Sequence, residues 1–399
     1  MGSKKFHLGL IPKILIGILI GVLIGKSLPV WFTRIFITFS SIFGNFLGFI
    51  VPLLILGFVT AGIAELGTGA GKLLGITVGI AYLFTLISGF FAYGVGKTLL
   101  PLIITNDTTK HISSAAKDLE PFFKVDMPPV MNVMTALILA FLLGLGIAAI
   151  NSKPLRKIAE DFQAIITKAI ENIIIPLLPV HIVGIFANMT YTGQVATVFS
   201  VFWKVFIIII CSHIIILLFQ FTISCSISKK NVFKSLKLQI PGYLTALGTQ
   251  SSAATIPVNL KCAENIGTSK GIREFVIPLC ATTHMSGSTI TLTTCAMSVM
   301  MLNSMPVTLG NFAGFIAMLG ISIVAAPGVP GGAVMASLGA LESILGFSKP
   351  MLTLMIALYI AQDSFGTACN VSGDQAVGMI VDKIQKNSST IEESSSVKA

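Results

Sequence analysis

Residues 241–260 read "PGYLTALGTQSSAATIPVNL". The apolar pieces on either side of its Ser-Ser-Ala-Ala-Thr tip are too short to cross a hydrocarbon core, which takes about 20 residues of helix. A second stretch, "AAPGVPGGAVM" at 325–335, stands between two short apolar runs in the same way. Pro327, Gly328, Pro330, Gly331 and Gly332 must interrupt a helix there. Bare backbone survives at membrane depth only when buried in protein or set against a cavity. Both regions, 239–267 and 309–347, are therefore expected to be re-entrant hairpins. Each leads into a spanning helix with a polar break: "THMSGST" at 283–289, and "AQDSFGTACNVSGDQAVGM" at 361–379. Hairpin–helix twice over, entered from opposite sides, is an inverted repeat. Paired interrupted segments of this kind point to a transport site near the bilayer midplane.

The rest of the chain agrees with a lipid setting. Of its 399 residues, 54% are hydrophobic and 11% charged, against about 25% charged in soluble domains. The net charge of +10 could suggest nucleic acid, but the basic residues sit in short loops between apolar spans, so no nucleic-acid partner is expected. Lys13 interrupts the first apolar run, and no cleavage pattern precedes a polar mature domain, so no cleavable signal peptide is expected. The six cysteines form no C-x-x-C pair and read as small packing residues.

Apolar spans fall at about 8–28, 36–64, 72–104, 130–150, 159–187, 195–226, 271–303 and 350–384. The fold class is an all-α polytopic membrane protein with eight transmembrane helices and two re-entrant helical hairpins. Segment 105–129 has no cationic excess, whereas Lys153, Arg156 and Lys157 follow the fourth span and Lys229, Lys230, Lys234 and Lys237 the sixth. The positive-inside rule puts those basic loops and the N-terminus in the cytoplasm and 105–129 outside. The tail 387–399 is expected to be disordered.

The last span carries an ordered stripe. Asp363, Thr367, Asn370 and Asp374 are spaced i, i+4, i+7 and i+11, so on a helix they share one face, with the carboxylates roughly 16 Å apart along the axis.

At these residues the chain resembles the dicarboxylate/amino acid:cation symporter family, and is closest in character to bacterial neutral amino-acid (serine/threonine-type) sodium symporters. "QSSAATIP" (250–257) is similar to that family's serine-rich first hairpin tip, "HMSGST" (284–289) occupies its Asn-Met-Asp-Gly-Thr motif, "PGVPGG" (327–332) looks like its second tip, and "DSFGTACNVSGD" (363–374) matches its last helix. The resemblance implies a homotrimer working as an elevator in a bacterial inner membrane, with both termini cytoplasmic. Residues 1–70 and 130–190 would form a fixed scaffold, and 71–104 and 191–386 a moving transport domain. It implies that Asp363 takes the substrate's α-ammonium group and Asn370 its α-carboxylate. Thr367, Ser288 and the tips at Ser251, Ser252, Val329, Gly331 and Gly332 would complete the substrate site. Asp374 and Asn370, with carbonyls around Cys280, Thr282 and His284, would hold Na+, a hard ion that takes oxygen ligands.

Departures from the family pattern refine this. Acidic-substrate members have arginine where this chain has Gly366, and no Lys or Arg lies between 350 and 382 to replace it. A dicarboxylate would bury an unpartnered charge, at a cost of several kcal/mol, so a small neutral amino acid such as serine, threonine or alanine is expected. His284 and Ser286 replace an asparagine and an aspartate, and Phe84 and Ile87 replace tyrosine and threonine ligands, though Ser88 remains. All these losses fall on one of the family's three sodium sites, so fewer than three ions are expected, with no organic cofactor. His284 reads either as a neutral core group or as a proton carrier. A channel and an intramembrane aspartyl protease are the competing functions. The protease reading rests on the Gly373-Asp374 pair, but such chemistry needs two carboxylates close enough to share a proton.

Overall fold

The computed structural model describes residues 10–66, 71–105, 119–323 and 331–396. These residues are predominantly helical, with no strand among them. In chain order the helices are α1 (Leu10–Ser27), α2 (Val30–Leu66), α3 (Gly71–Ile103), α4 (Val133–Ile150), α5 (Lys153–Ala169), α6 (Ile175–Tyr191), α7 (Val195–Ser228), α8 (Val232–Thr249), α9 (Ser252–Ile266), α10 (Lys270–Thr283), α11 (Ser286–Leu302), α12 (Leu309–Ser322), α13 (Gly332–Ser343) and α14 (Lys349–Ser396). Six stretches among the described residues are long and apolar enough to cross a membrane: Val30–Ala64, Leu73–Ile103, Lys153–Tyr191, Val195–Ser228, Lys270–Leu302 and Lys349–Asn387. The other two expected spans are α1 and α4, of 18 residues each, near the lower limit for crossing.

Local chemistry explains the joints. Between α5 and α6 the ladder widens into a π-turn at Ile170–Ile174. Pro176, in the next turn, has no N–H to give to the carbonyl four residues back. Between α8 and α9 the chain reverses in two residues. Gln250 ends α8 in the left-handed region (φ 55°), and Ser251 starts α9 by accepting the Ala254 N–H on its Oγ at 3.2 Å. This is the first expected hairpin, beginning a few residues earlier than read from sequence. The arms of the second are α12 and α13, and its tip 324–330, including Val329, lies outside the described residues.

Two groups of helices pack together. In the first, α1 lies on α6, and α2 lies against α4 and α6. Gly17, Gly21 and Gly25 let α1 approach closely. A Cβ at Gly17 would stand 2.8 Å from the Pro179 carbonyl oxygen, and one at Gly21 would stand 2.7 Å from that of Val183. Small residues at four-residue spacing are the usual means of backbone approach in lipid, where no hydrophobic drive joins helices. In the second group, α11 is the centre: every residue except Met301 is buried, and α3, α7 and α14 surround it.

The two polar stretches turn out differently. The polar break in 271–303 is real, since α10 ends at Thr283 and α11 starts at Ser286. The polar stretch of the last helix interrupts only its apolarity: α14 runs continuously through the stripe, as the helical spacing of Asp363, Thr367, Asn370 and Asp374 requires. Residues 387–396, expected to be disordered, continue that helix.

Candidate functional site

The site forms where the α10–α11 break faces the α14 stripe. A helix start leaves N–H groups without intrahelical acceptors. The N-cap position of α11, Met285, supplies no side-chain bond. Asn370 supplies it from across the interface: its Oδ1 accepts the N–H groups of Gly287 (2.8 Å) and Ser288 (3.2 Å). Its Nδ2 donates to Ser288 Oγ at 2.9 Å and meets Met285 Sδ at 3.4 Å. The helices can come this close because α11 is glycine at the contact. A Cβ on Gly287 would collide with the Gly366 carbonyl oxygen and stand 2.6 Å from Cys369 Cβ.

One turn away, Asp363 is 4% exposed. Its Oδ2 accepts the N–H of Gly331, the first described residue of the second hairpin's inner arm, at 2.7 Å. Thr367 Oγ1 lies 3.5 Å from the other carboxylate oxygen. In the other direction, His284 is fully buried and lies between four groups. Its Nδ1 is 3.1 Å from both Asp374 Oδ1 and the Asn370 carbonyl oxygen. Its Nε2 is 2.8 Å from Ser286 Oγ and 3.3 Å from Gln220 Nε2. Gln220 also donates to Ser286 Oγ at 2.8 Å. Nδ1 thus faces two acceptors, and Nε2 faces groups that can donate. One proton, on Nδ1, satisfies every contact of a neutral imidazole.

Gly373 makes the room for His284. A Cβ there would collide with the imidazole and stand 2.6 Å from Gln220 Oε1. The Gly-Asp pair therefore reflects packing of His284 on α14. Phe84 of α3 lies edge-on to the same ring at 6.2 Å between centroids, and the Thr85 hydroxyl accepts the Met285 N–H at 3.3 Å. Ser88, the retained hydroxyl, donates to the Phe84 carbonyl at 2.7 Å.

The structure thus joins Ser288, Asn370, His284 and Asp374 in one network, and Asp363 with Gly331 and Thr367 in another next to it. Gly332 is buried as the first residue of α13. Ser251 caps α9 and Ser252 follows it, buried, at the first hairpin tip. The Cys280 carbonyl accepts the His284 N–H at 3.0 Å. The Thr282 side chain is exposed and bonds back to the Leu279 carbonyl, so any role of Thr282 in ion binding would fall to its carbonyl. A cation suits the donor set near Asp374, where carboxylate, carbonyl and hydroxyl oxygens gather and the buried Gln220 Oε1 has no partner among the described residues. Two buried carboxylates held chiefly by neutral donors leave charge that a bound ammonium group or metal ion would balance.

Several partners were not legible in the sequence. His213 and Gln220, seven residues apart on apolar α7, both serve the site; His213 Nε2 lies 3.0 Å from the Gly287 carbonyl. Their signal was two polar residues on one face of a membrane-length helix, which must find partners. Tyr359, four residues before Asp363, donates to Ser288 Oγ at 2.8 Å. Asn259 of α9 bonds the Val371 carbonyl at 3.0 Å and accepts from Gln239 at 2.9 Å and Gln375 at 2.8 Å, tying both arms of the first hairpin to α14.

Comparison with known proteins matches residues 10–384 to the profile of the sodium:dicarboxylate symporter family. The serine/threonine transporter SstT of Acinetobacter baumannii (strain AYE) is 27% identical over 94% of this chain and 97% of its own. The excitatory amino acid transporter 1 of Ambystoma tigrinum is 25% identical over 73% of this chain and 56% of its own. The neutral amino acid transporter A of Bos taurus is 34% identical over 37% of this chain and 28% of its own.

Proposed function

The chain belongs to the sodium:dicarboxylate symporter family, and we propose that it couples the entry of sodium to uptake of a small neutral amino acid of the serine, threonine or alanine type. Its family and relatives are multi-pass membrane transporters of amino acids or dicarboxylates, not enzymes. The observation that carries the substrate class is the pairing of Asp363 with Gly366. Asp363 is a buried anion for an ammonium group, and Asn370 with the α11 N-terminus meets a carboxylate. At Gly366 a Cβ would have ordinary contacts at 3.6 Å, and no basic side chain on α14 between 350 and 382 could neutralise a second carboxylate. The full-length similarity to a serine/threonine transporter supports the same class.

Asp374, with Asn370 and neighbouring carbonyls, would ligate sodium. The packing of the buried His284 ring among Asp374, Ser286 and Gln220 supports an imidazole that fills space otherwise available to an ion, which favours fewer than three sodium ions. The hairpins α8–α9 and α12–α13 would be re-entrant. Helices α1, α2, α4, α5 and α6 would form a trimeric scaffold, and the α11-centred group would slide against it as an elevator in a bacterial inner membrane, both termini cytoplasmic. The contact between the two groups supports this. It includes a cavity of about 520 Å³ and polar bonds such as His181 Nε2 to Thr353 Oγ1 (3.3 Å) and Lys349 Nζ to Asn45 Oδ1 (2.7 Å). Such polar bonds can break and re-form as one group moves past the other.

The test is uptake into proteoliposomes. A sodium gradient is expected to drive accumulation of labelled serine, threonine or alanine, with aspartate a poor competitor. In Asp363→Asn, binding measured by calorimetry is expected to fall about 100-fold or more, since breaking a buried charge pair costs about 3–5 kcal/mol. Near-parental binding in a folded Asp363→Asn protein would remove the ammonium role, and better competition by aspartate than by serine would remove the neutral class.

A further inference from the structure

Tyr359 stands at a place in the site that no part of the reading above uses. It lies four residues before Asp363, seven before Gly366 and eleven before Asn370, so all four share one face of α14. It is fully buried, and it is the largest fully buried side chain among the described residues. Its hydroxyl donates to Ser288 Oγ at 2.8 Å, the same oxygen that accepts from Asn370 Nδ2, and it also faces the Asp363 carboxylate. Its ring belongs to the apolar cluster that holds Val334, Met335 and Leu338 of α13. The phenol therefore lies between that apolar cluster and the polar groups proposed to hold the ends of an amino acid.

An amino acid with its ammonium group at Asp363 and its carboxylate near Asn370 and Ser288 must point its side chain past that same stretch of α14. Gly366 offers no side chain there. An aromatic ring is the bulkiest wall a protein can place in such a space, burying about 150–250 Å². We propose that Tyr359 is the specificity-determining residue that limits the amino-acid side chain to a small one, its ring closing the far end of the site and its hydroxyl holding Ser288 in place. This rests on the amino-acid reading above.

The test measures affinities for serine and leucine by calorimetry in saturating sodium, for the parent, Tyr359→Ala, Tyr359→Leu and Tyr359→Phe, with Asp363→Asn in the same assay. In Tyr359→Ala the serine-to-leucine affinity ratio is expected to fall at least about tenfold, the scale on which an apolar pocket discriminates by a methylene or two. Tyr359→Leu, which keeps the position apolar if alanine unfolds the site, is expected to shift the ratio in the same direction by less. Tyr359→Phe is expected to keep the size ratio and weaken serine binding, because Ser288 loses its donor. A tyrosine with only a structural role would weaken both ligands equally, so an unchanged ratio in a folded Tyr359→Ala or Tyr359→Leu protein overturns the assignment. If Asp363→Asn abolishes binding while the ratio is unchanged, only the Tyr359 role falls. If Asp363→Asn binds serine as the parent does, the amino-acid reading falls and this inference with it.

Discussion

His284 Nδ1 lies 3.1 Å from the Asp374 carboxylate, and Gly373, the residue before Asp374, is the reason it can. The α14 backbone is bare at that point, so the imidazole seats against it and turns its other nitrogen to Ser286 and Gln220. Gly373→Ala is expected to destabilise the protein by about 1–3 kcal/mol through overpacking. Gly378→Ala on the same helix, whose Cβ would meet only Val276 at 3.9 Å and Thr268 at 4.0 Å, is expected to be neutral or slightly stabilising. Thermal unfolding of the two variants side by side checks this. Equal melting temperatures would mean that His284 does not need the glycine.

In the proposed function Asp374 ligates the coupled cation. If it does, sodium and substrate each raise the other's affinity by the same factor. Substrate titrations with and without sodium are expected to show that factor in the parent and to show it much reduced in Asp374→Asn. A full sodium effect in a variant that still binds substrate would place the ion elsewhere.

The contacts of His284 with Asp374, the Asn370 carbonyl and Ser286 bear on whether a proton travels with the substrate. Vesicles carrying a pH gradient without sodium are expected to accumulate nothing. Accumulation that depends on His284, lost in His284→Asn, would show that the residue carries the coupled ion.

Gly366→Arg tests charge selection in the site. The Cβ itself fits, with its nearest neighbours at 3.6 Å. The guanidinium would supply the missing countercharge, shifting competition in favour of aspartate or glutamate over serine. A folded variant that still prefers serine would show that another group excludes acidic substrates.

Lys349 and Asn45 meet at 2.7 Å across the contact between the two helix groups. Asn45→Cys with Lys349→Cys, joined by a short cysteine-reactive linker in a background lacking Cys211, is expected to block uptake while leaving substrate binding intact. Undiminished uptake in fully linked protein would argue that these two groups do not slide past one another.

Much of this protein is written locally. Span length and hydropathy placed nearly every helix, because a membrane helix must be both long and apolar. The break at His284–Met285 and the reversal at Gln250–Ser251 followed from polar and turn-forming residues within a few positions of one another. The α14 face bearing Asp363, Thr367, Asn370 and Asp374 followed from helical period alone. What these residues touch did not. Asn370 caps α11, His284 bridges Asp374 to Ser286, and Gln220, His213, Asn259 and Tyr359 enter the site from positions that look unremarkable in their own segments. Period and composition fix which face a residue occupies, but partners depend on which helices meet there and how closely. That approach is set by glycines at 287 and 373 against residues far away in the chain, a relation between separate helices that no window of sequence contains.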